Sequence, residues 1–231
     1  MARRFDNKVV WITGGGSGIG KSLALAFGKE GATVAVSGRR EDRLQEVVEE
    51  LGARGAKGLA VRCDVTDEAS VAEAVQKVVR TLGGLDVAVA NAGFSVAGRV
   101  EKLSAADWRR QLDVNVIGVA MTARYAIPHL RERNGRLALI GSVASMLVSP
   151  GMGAYSASKY AVRAIGQALS AELHGTGVSC TTIHPGYIES EIAQVDNQGR
   201  FDAQREDRRP KNLMWPTDRA ARVMVDAIAK R

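Results

Sequence analysis

From Val9 onward the chain alternates short β-rich apolar runs with longer stretches of helical periodicity. Val9-Val10-Trp11-Ile12 is the first run, and Thr33–Val36, Gly58–Val61, Leu85–Val89, Leu137–Ile140 and Val178–Ile183 follow. Between them lie residues spaced for helices over 22–30, 41–51, 67–82, 104–131 and 154–173, with a last one over 217–229. Ser104 is placed to cap the long fourth helix. Strands joined by helices return in the same direction, so this pattern predicts a parallel sheet covered on both faces. Right-handed crossovers then give a doubly wound α/β sheet in three layers. One domain is expected over residues 1–231. Its irregular, charged stretch at about 189–215 is set apart as a substrate loop, because a loop of that length in a compact domain usually serves a function.

Composition narrows the choice. With 45% hydrophobic and 25% charged residues, 231 residues suffice for a buried core without staples. The two cysteines, Cys63 and Cys180, both fall in strand-like runs. They are expected as buried free thiols in a reducing, cytoplasmic setting. Arg3 and Arg4 have no apolar segment behind them, so a secretory signal is not expected, and no run is long enough to span a bilayer. The formal net charge is +7. Residues 200–231 hold nine Lys/Arg against five Asp/Glu, a net +4, so more than half of the excess sits there. No basic stripe alternates with aromatics, so a solvated surface is expected rather than a nucleic-acid site.

Two motifs carry chemistry. Thr13-Gly14-Gly15-Gly16-Ser17-Gly18-Ile19-Gly20 links the first strand to the first helix. Glycines there let the backbone turn sharply and approach a pyrophosphate, and the helix N-terminus offers free N–H groups. Tyr155 and Lys159 stand four apart on a predicted helix and so share a face. An ammonium near the phenol favours the phenolate and suits Tyr155 to proton exchange with an alcohol or carbonyl oxygen. With Asp64-Val65, Asn91-Ala92-Gly93, Asn115, Ser142 and Pro185-Gly186 in order, the chain resembles the short-chain dehydrogenase/reductase family over about residues 8–190.

The resemblance implies a Rossmann-like fold and hydride transfer between a nicotinamide cofactor and a carbonyl or alcohol. It implies that Asn115, Ser142, Tyr155 and Lys159 are catalytic, with Ser142 holding the substrate oxygen and Asn115 a relay water. A structural Asn in a distorted helix is the alternative at Asn115. Cofactor contacts are implied for Thr13, Gly14, Ser17, Gly18, Ile19, Gly20, Asp64, Val65, Asn91, Ala92, Gly93, Tyr155, Lys159, Pro185, Gly186, Ile188 and Ser190. Gly38 stands where NAD-using relatives usually place an acid. Arg39, with Arg40 as a weaker candidate, is suited to a 2′-phosphate, so NADP ranks ahead of NAD. No metal is implied. A catalytically silent NADP-binding regulator is the alternative function.

Residues 94–97, 143–152 and 187–215 are expected to form the substrate pocket. Val143, Met146, Leu147, Val148 and Met152 favour a lipophilic small molecule, whereas Arg200, Arg205, Arg208, Arg209 and Lys211 leave room for an acidic group on it. Family members usually add a seventh strand after the last helix, and this sequence stops at Arg231. Apolar and small residues on the fourth and fifth long helices, such as Val116, Met121, Ala161 and Ile165, predict a homodimer or higher homo-oligomer.

Overall fold

A computed structural model describes residues 3–207 and 209–230. Arg208 and the chain end at Arg231, both named above, lie outside the described residues. Six strands form one parallel sheet: β1 (Val9–Thr13), β2 (Thr33–Gly38), β3 (Gly58–Arg62), β4 (Val87–Ala90), β5 (Arg136–Ile140) and β6 (Ser179–Ile183). Their spatial order is β3-β2-β1-β4-β5-β6. The chain winds outward one way from β1 and then the other way from β4, so the crevice of a doubly wound sheet opens between β1 and β4.

The alternation of side chains along each strand feeds two apolar layers. Val10, Ile12, Val34, Val36, Val87 and Val89 point to one face. There they meet Leu23 and Phe27 of α1 (Gly18–Lys29), Leu44 and Val47 of α2 (Glu41–Ala53), and Met224 and Ile228 of α7 (Thr217–Lys230). Trp11, Ala35, Ala88, Leu137 and Leu139 point to the other face. They pack on Val71 and Val75 of α3 (Glu68–Leu82), Val119 and Ala123 of α5 (Gly118–Arg131), and Val162 of α6 (Gly153–Glu172). Strands β1, β2, β4 and β5 are buried on both faces and read as continuous apolar runs, whereas the edge strands β3 and β6 are only partly buried. Trp11 is fully buried and its indole N–H is satisfied by Ser37 Oγ at 2.7 Å.

Three local features differ from the sequence expectation. The first helix begins at Gly18, four residues before the expected Ser22, because the glycines that read as turn residues also form its first turn. The single helix expected over 104–131 is divided. Here α4 (Ala105–Leu112), capped by a reciprocal Ser104–Asp107 box, leads through a π-turn at Asp113–Ile117 into α5. Both cysteines are free, but only Cys63 is fully buried; Cys180 is partly exposed on the edge strand β6. Burial pushes both thiols up to about 11, so they are poor nucleophiles at neutral pH. Among the described residues no helix is long and apolar enough to cross a membrane.

Candidate active site

Six parallel strands place six carboxyl ends along one edge, and the turns leaving them carry the motif residues. Gly14 has φ +66° and Gly18 φ +50°, so the turn after β1 uses conformations that L side chains rarely adopt. A Cβ on Gly14 would lie 2.8 Å from the Ala92 Cα, so the turn packs directly on the chain leaving β4. A Cβ on Gly20 would collide with the Gly14 carbonyl and with Asn91 Nδ2 at 2.6 Å. Thr13 and Asn91 tie the two strand ends together. Thr13 Oγ1 accepts from the Asn91 and Ala92 N–H groups at 3.1 and 3.2 Å. Asn91 Nδ2 donates to the Thr13 and Gly14 carbonyls at 2.9 and 3.1 Å. The Ser17 side chain does not cap α1, so the first N–H groups of the helix have no side-chain cap. Ile19 packs against the core below them.

At the end of β2, Arg40 bonds Ser17 Oγ and pairs with Glu191, at 3.3 and 3.2 Å. Arg39 makes no ion pair among the described residues. After β3, the Asp64 carboxylate accepts from the Thr66 N–H and hydroxyl at 3.0 and 2.8 Å, while Val65 is buried against Gly118. Gly93 lies against the Asn115 amide.

The π-turn explains how a polar residue reaches the interior from an apolar helix. Asn115 is fully buried. Its Oδ1 accepts from the Phe94 N–H at 3.0 Å, and its Nδ2 donates to the Phe94 carbonyl at 3.0 Å and to Ser158 Oγ at 3.1 Å. Ser158 in turn donates to the Tyr155 carbonyl at 2.6 Å. Asn115 thus sits in a distorted helix, but its amide bonds the Phe94 backbone and Ser158 rather than the helix's own backbone. Gln111, also fully buried, bonds the Phe94 carbonyl and the Val96 N–H at 3.0 and 2.6 Å. Gln111 and Asn115 together clamp the strand-like segment beyond Gly93. Gln111 was not singled out from sequence, although its place one turn before Asn115 on the same helix face was a usable signal.

Ser142 leaves β5, is buried, and accepts from the Ala144 N–H at 3.1 Å. Tyr155 is only partly exposed. Desolvation raises its phenol above the ordinary value, against smaller opposing effects of the Ser142 hydroxyl and the Arg209 charge. The expectation was the reverse shift, driven by Lys159. Lys159 is buried instead with its Nζ on the Ile140 carbonyl at 2.8 Å, and 5.8 Å from the centre of the Tyr155 ring. Desolvation lowers it to about 8.

Past β6, the Pro185 carbonyl accepts from the Val143 N–H at 2.9 Å, Gly186 is open, and Ile188 is buried. Arg209 was read from sequence as one of several loop charges; in the structure it holds this strand end. It donates to the Ile188 and Ser190 carbonyls at 2.9 and 2.8 Å and pairs with Asp207 at 2.7 Å. A groove of about 380 Å³ runs from Gly18 and Ser22 to Ser190 and Glu191. Another, of about 560 Å³ between α2, β3 and α3, holds none of the motif residues.

Comparison with known proteins agrees with this arrangement. The family model described as short chain dehydrogenase matches residues 8–200. An uncharacterized oxidoreductase of Staphylococcus aureus strain MRSA252 is 36% identical over 192 residues, covering 83% of this chain and 82% of that protein. A short chain dehydrogenase from Burkholderia cenocepacia J2315, solved in complex with NADP, superposes with a TM-score of 0.85. It is 30% identical, and the match covers 97% of this chain and 91% of the other. An alcohol dehydrogenase from Thermococcus sibiricus, complexed with 5-hydroxy-NADP, gives 0.83 at 28% identity, over 97% and 92%. The chain belongs to the short-chain dehydrogenase family of oxidoreductases.

Proposed function

We propose that this protein is an NADP-dependent oxidoreductase that interconverts a carbonyl and an alcohol on a small, lipophilic substrate. The observation that carries the proposal is the convergence of Asn115, Ser142, Tyr155 and Lys159 beside the glycine turn at one edge of the sheet. The residues present fit a dinucleotide. Gly14 and Gly20 lie where a Cβ would strike backbone, α1 opens without a side-chain cap, and Arg39 makes no ion pair among the described residues. The turn 13–20 would hold the pyrophosphate, Asp64 and Val65 the adenine, and Asn91 to Gly93 the middle of the cofactor. Pro185, Gly186, Ile188 and Ser190 would flank the nicotinamide, which supplies or accepts the hydride when bound.

The chain's own part is to hold and move a proton. Ser142 would donate to the substrate oxygen, and Tyr155 would give its phenolic proton to that oxygen as it gains charge. A phenol raised by burial is protonated at neutral pH, which suits reduction. Lys159 would stabilise the phenolate left behind, and Asn115 would order the backbone and solvent behind it. The NADP-bound relatives support the cofactor, and Arg39 supplies the reason in this chain. Met146, Leu147 and Val148 are exposed beside Ser142 and support the lipophilic substrate.

Oxidation of NADPH against a panel of carbonyl compounds tests the activity, and the same panel with NADH tests the preference. Arg39→Ala is expected to weaken NADPH binding roughly 10- to 100-fold while leaving NADH within about two-fold. Equal losses for the two cofactors would remove the phosphate assignment.

A further inference from the structure

We infer that His184 is a positioning residue that sets Ser142 through Ser145. The inference rests on Ser142 holding the substrate oxygen, as proposed above. His184 follows β6 and faces the turn that leaves β5. The two strand ends continue their pairing past the sheet, through Gly141 N–H to the Ile183 carbonyl at 2.7 Å and Val143 N–H to the Pro185 carbonyl at 2.9 Å. The imidazole fills the space over Gly141, where a Cβ would lie 2.7 Å from His184 Nδ1. The residue before Ser142 therefore has to be glycine for the ring to fit.

The proton order in this corner is fixed by its acceptors. Ser145 is fully buried, and its hydroxyl lies 2.7 Å from the Ser142 carbonyl, which can only accept. Ser145 has one hydrogen, so that bond uses it. His184 Nδ1 lies 2.9 Å from Ser145 Oγ and 3.3 Å from the same carbonyl. Both neighbours offer lone pairs, so Nδ1 carries the hydrogen and donates. The chain His184 to Ser145 to Ser142 runs one way and ends on the backbone of Ser142. It holds that carbonyl, while the Ser142 Oγ accepts from the Ala144 N–H at 3.1 Å and meets the Tyr155 phenol. Ser145 cannot be a nucleophile in this arrangement, because its hydrogen is aimed away from the imidazole. His129 and His174 share none of these contacts.

The test uses the whole chain with NADPH and the best carbonyl of the panel. His184→Leu and Ser145→Ala are each expected to lower kcat roughly 3- to 10-fold, with the NADPH Kd within about two-fold of wild type. His184→Asn, which keeps a nitrogen donor near the Nδ1 position, is expected to recover most of the loss. The double variant His184→Leu with Ser145→Ala should be no slower than the slower single variant, since both break one chain. Additive losses, or a His184→Asn enzyme as slow as His184→Leu at equal melting temperature, would overturn the inference. Nitrogen-15 spectra of the wild-type imidazoles give a readout independent of turnover. A protonated Nδ1 at His184 supports the chain, and a bare Nδ1 rejects it. If wild type reduces no carbonyl, the redox proposal fails while the spectrum still decides the proton order.

Discussion

The corner around Ser142 and the segment over 189–215 meet at the same edge of the sheet, yet different forces hold them. In the corner, Asn115, Ser158 and Lys159 are buried and bond to main-chain carbonyls of Phe94, Tyr155 and Ile140. In the segment, Asp196 caps its own turn and pairs with Arg200, Asn197 reaches the Ala97 backbone, and Glu191 pairs with Arg40, all at exposed positions. Buried bonds of the first kind cannot be exchanged for water, so they fix geometry. Exposed pairs of the second kind exchange with solvent at little cost. The contrast separates two tasks. The proposed proton transfer would need fixed distances, whereas a segment proposed to cover cofactor and substrate would have to open and close.

The sharpest test of the fixed corner is removal of one oxygen. Tyr155→Phe keeps the ring and its packing. Carbonyl reduction is expected to fall about 10²- to 10⁴-fold, the usual contribution of a positioned acid, with NADPH affinity unchanged by calorimetry. An active Tyr155→Phe enzyme would end the mechanism without touching the fold.

Lys159 sharpens the same side through pH. Its folded value of about 8 lies below the ordinary lysine value of 10.5, so between these limits the unfolded chain binds more protons than the folded one. Stability of the cofactor-free protein should therefore rise with pH across that window, by on the order of 1 kcal/mol per pH unit from this group. Urea unfolding of wild type and Lys159→Met at pH 7.5, 9 and 10 reads the difference. A constant gap between the two curves would mean that the ammonium is not desolvated.

Asn115→Leu follows in size. It leaves the Phe94 N–H buried without its partner at 3.0 Å, at a cost of about 1–3 kcal/mol. A lower urea midpoint at unchanged m-value would match that cost.

The same contrast accounts for what sequence could reveal. Periodicity revealed the strands, the helices and the doubly wound order, most clearly where the four central strands are buried on both faces. The role read for Ser142 came from the family resemblance, whereas the glycine turn and the Tyr155–Lys159 pair were legible from spacing along single elements. The π-turn was not, because Asp113–Ile117 has ordinary helical periodicity and its bulge is set by what Asn115 bonds across the fold. Lys159 was expected to act on the Tyr155 phenol, but its partner, the Ile140 carbonyl, is nineteen residues away on another element. Arg209 escaped for the same reason, because it bonds the Ile188 and Ser190 carbonyls, which leave no residue type to read. His184 escaped because its partner Ser145 is thirty-nine residues away on another element.

The smallest expected effect lies in the segment over 189–215. The Arg40–Glu191 pair joins the end of β2 to this segment at 3.2 Å, with both side chains about a third or more exposed. An exposed pair of this kind contributes about 0.2–1 kcal/mol, so Glu191→Gln should leave the melting temperature nearly unchanged. Its carboxylate nevertheless occupies Arg40 and repels a phosphate brought beside it. Removing that charge is expected to tighten NADPH roughly 1.5- to 5-fold, the same energy expressed as affinity, and to leave NADH alone. Titration of both cofactors into wild type and Glu191→Gln reads this directly. Tightening of both alike would mean that the segment had simply loosened. No change in either would assign the phosphate to Arg39 without help from Arg40.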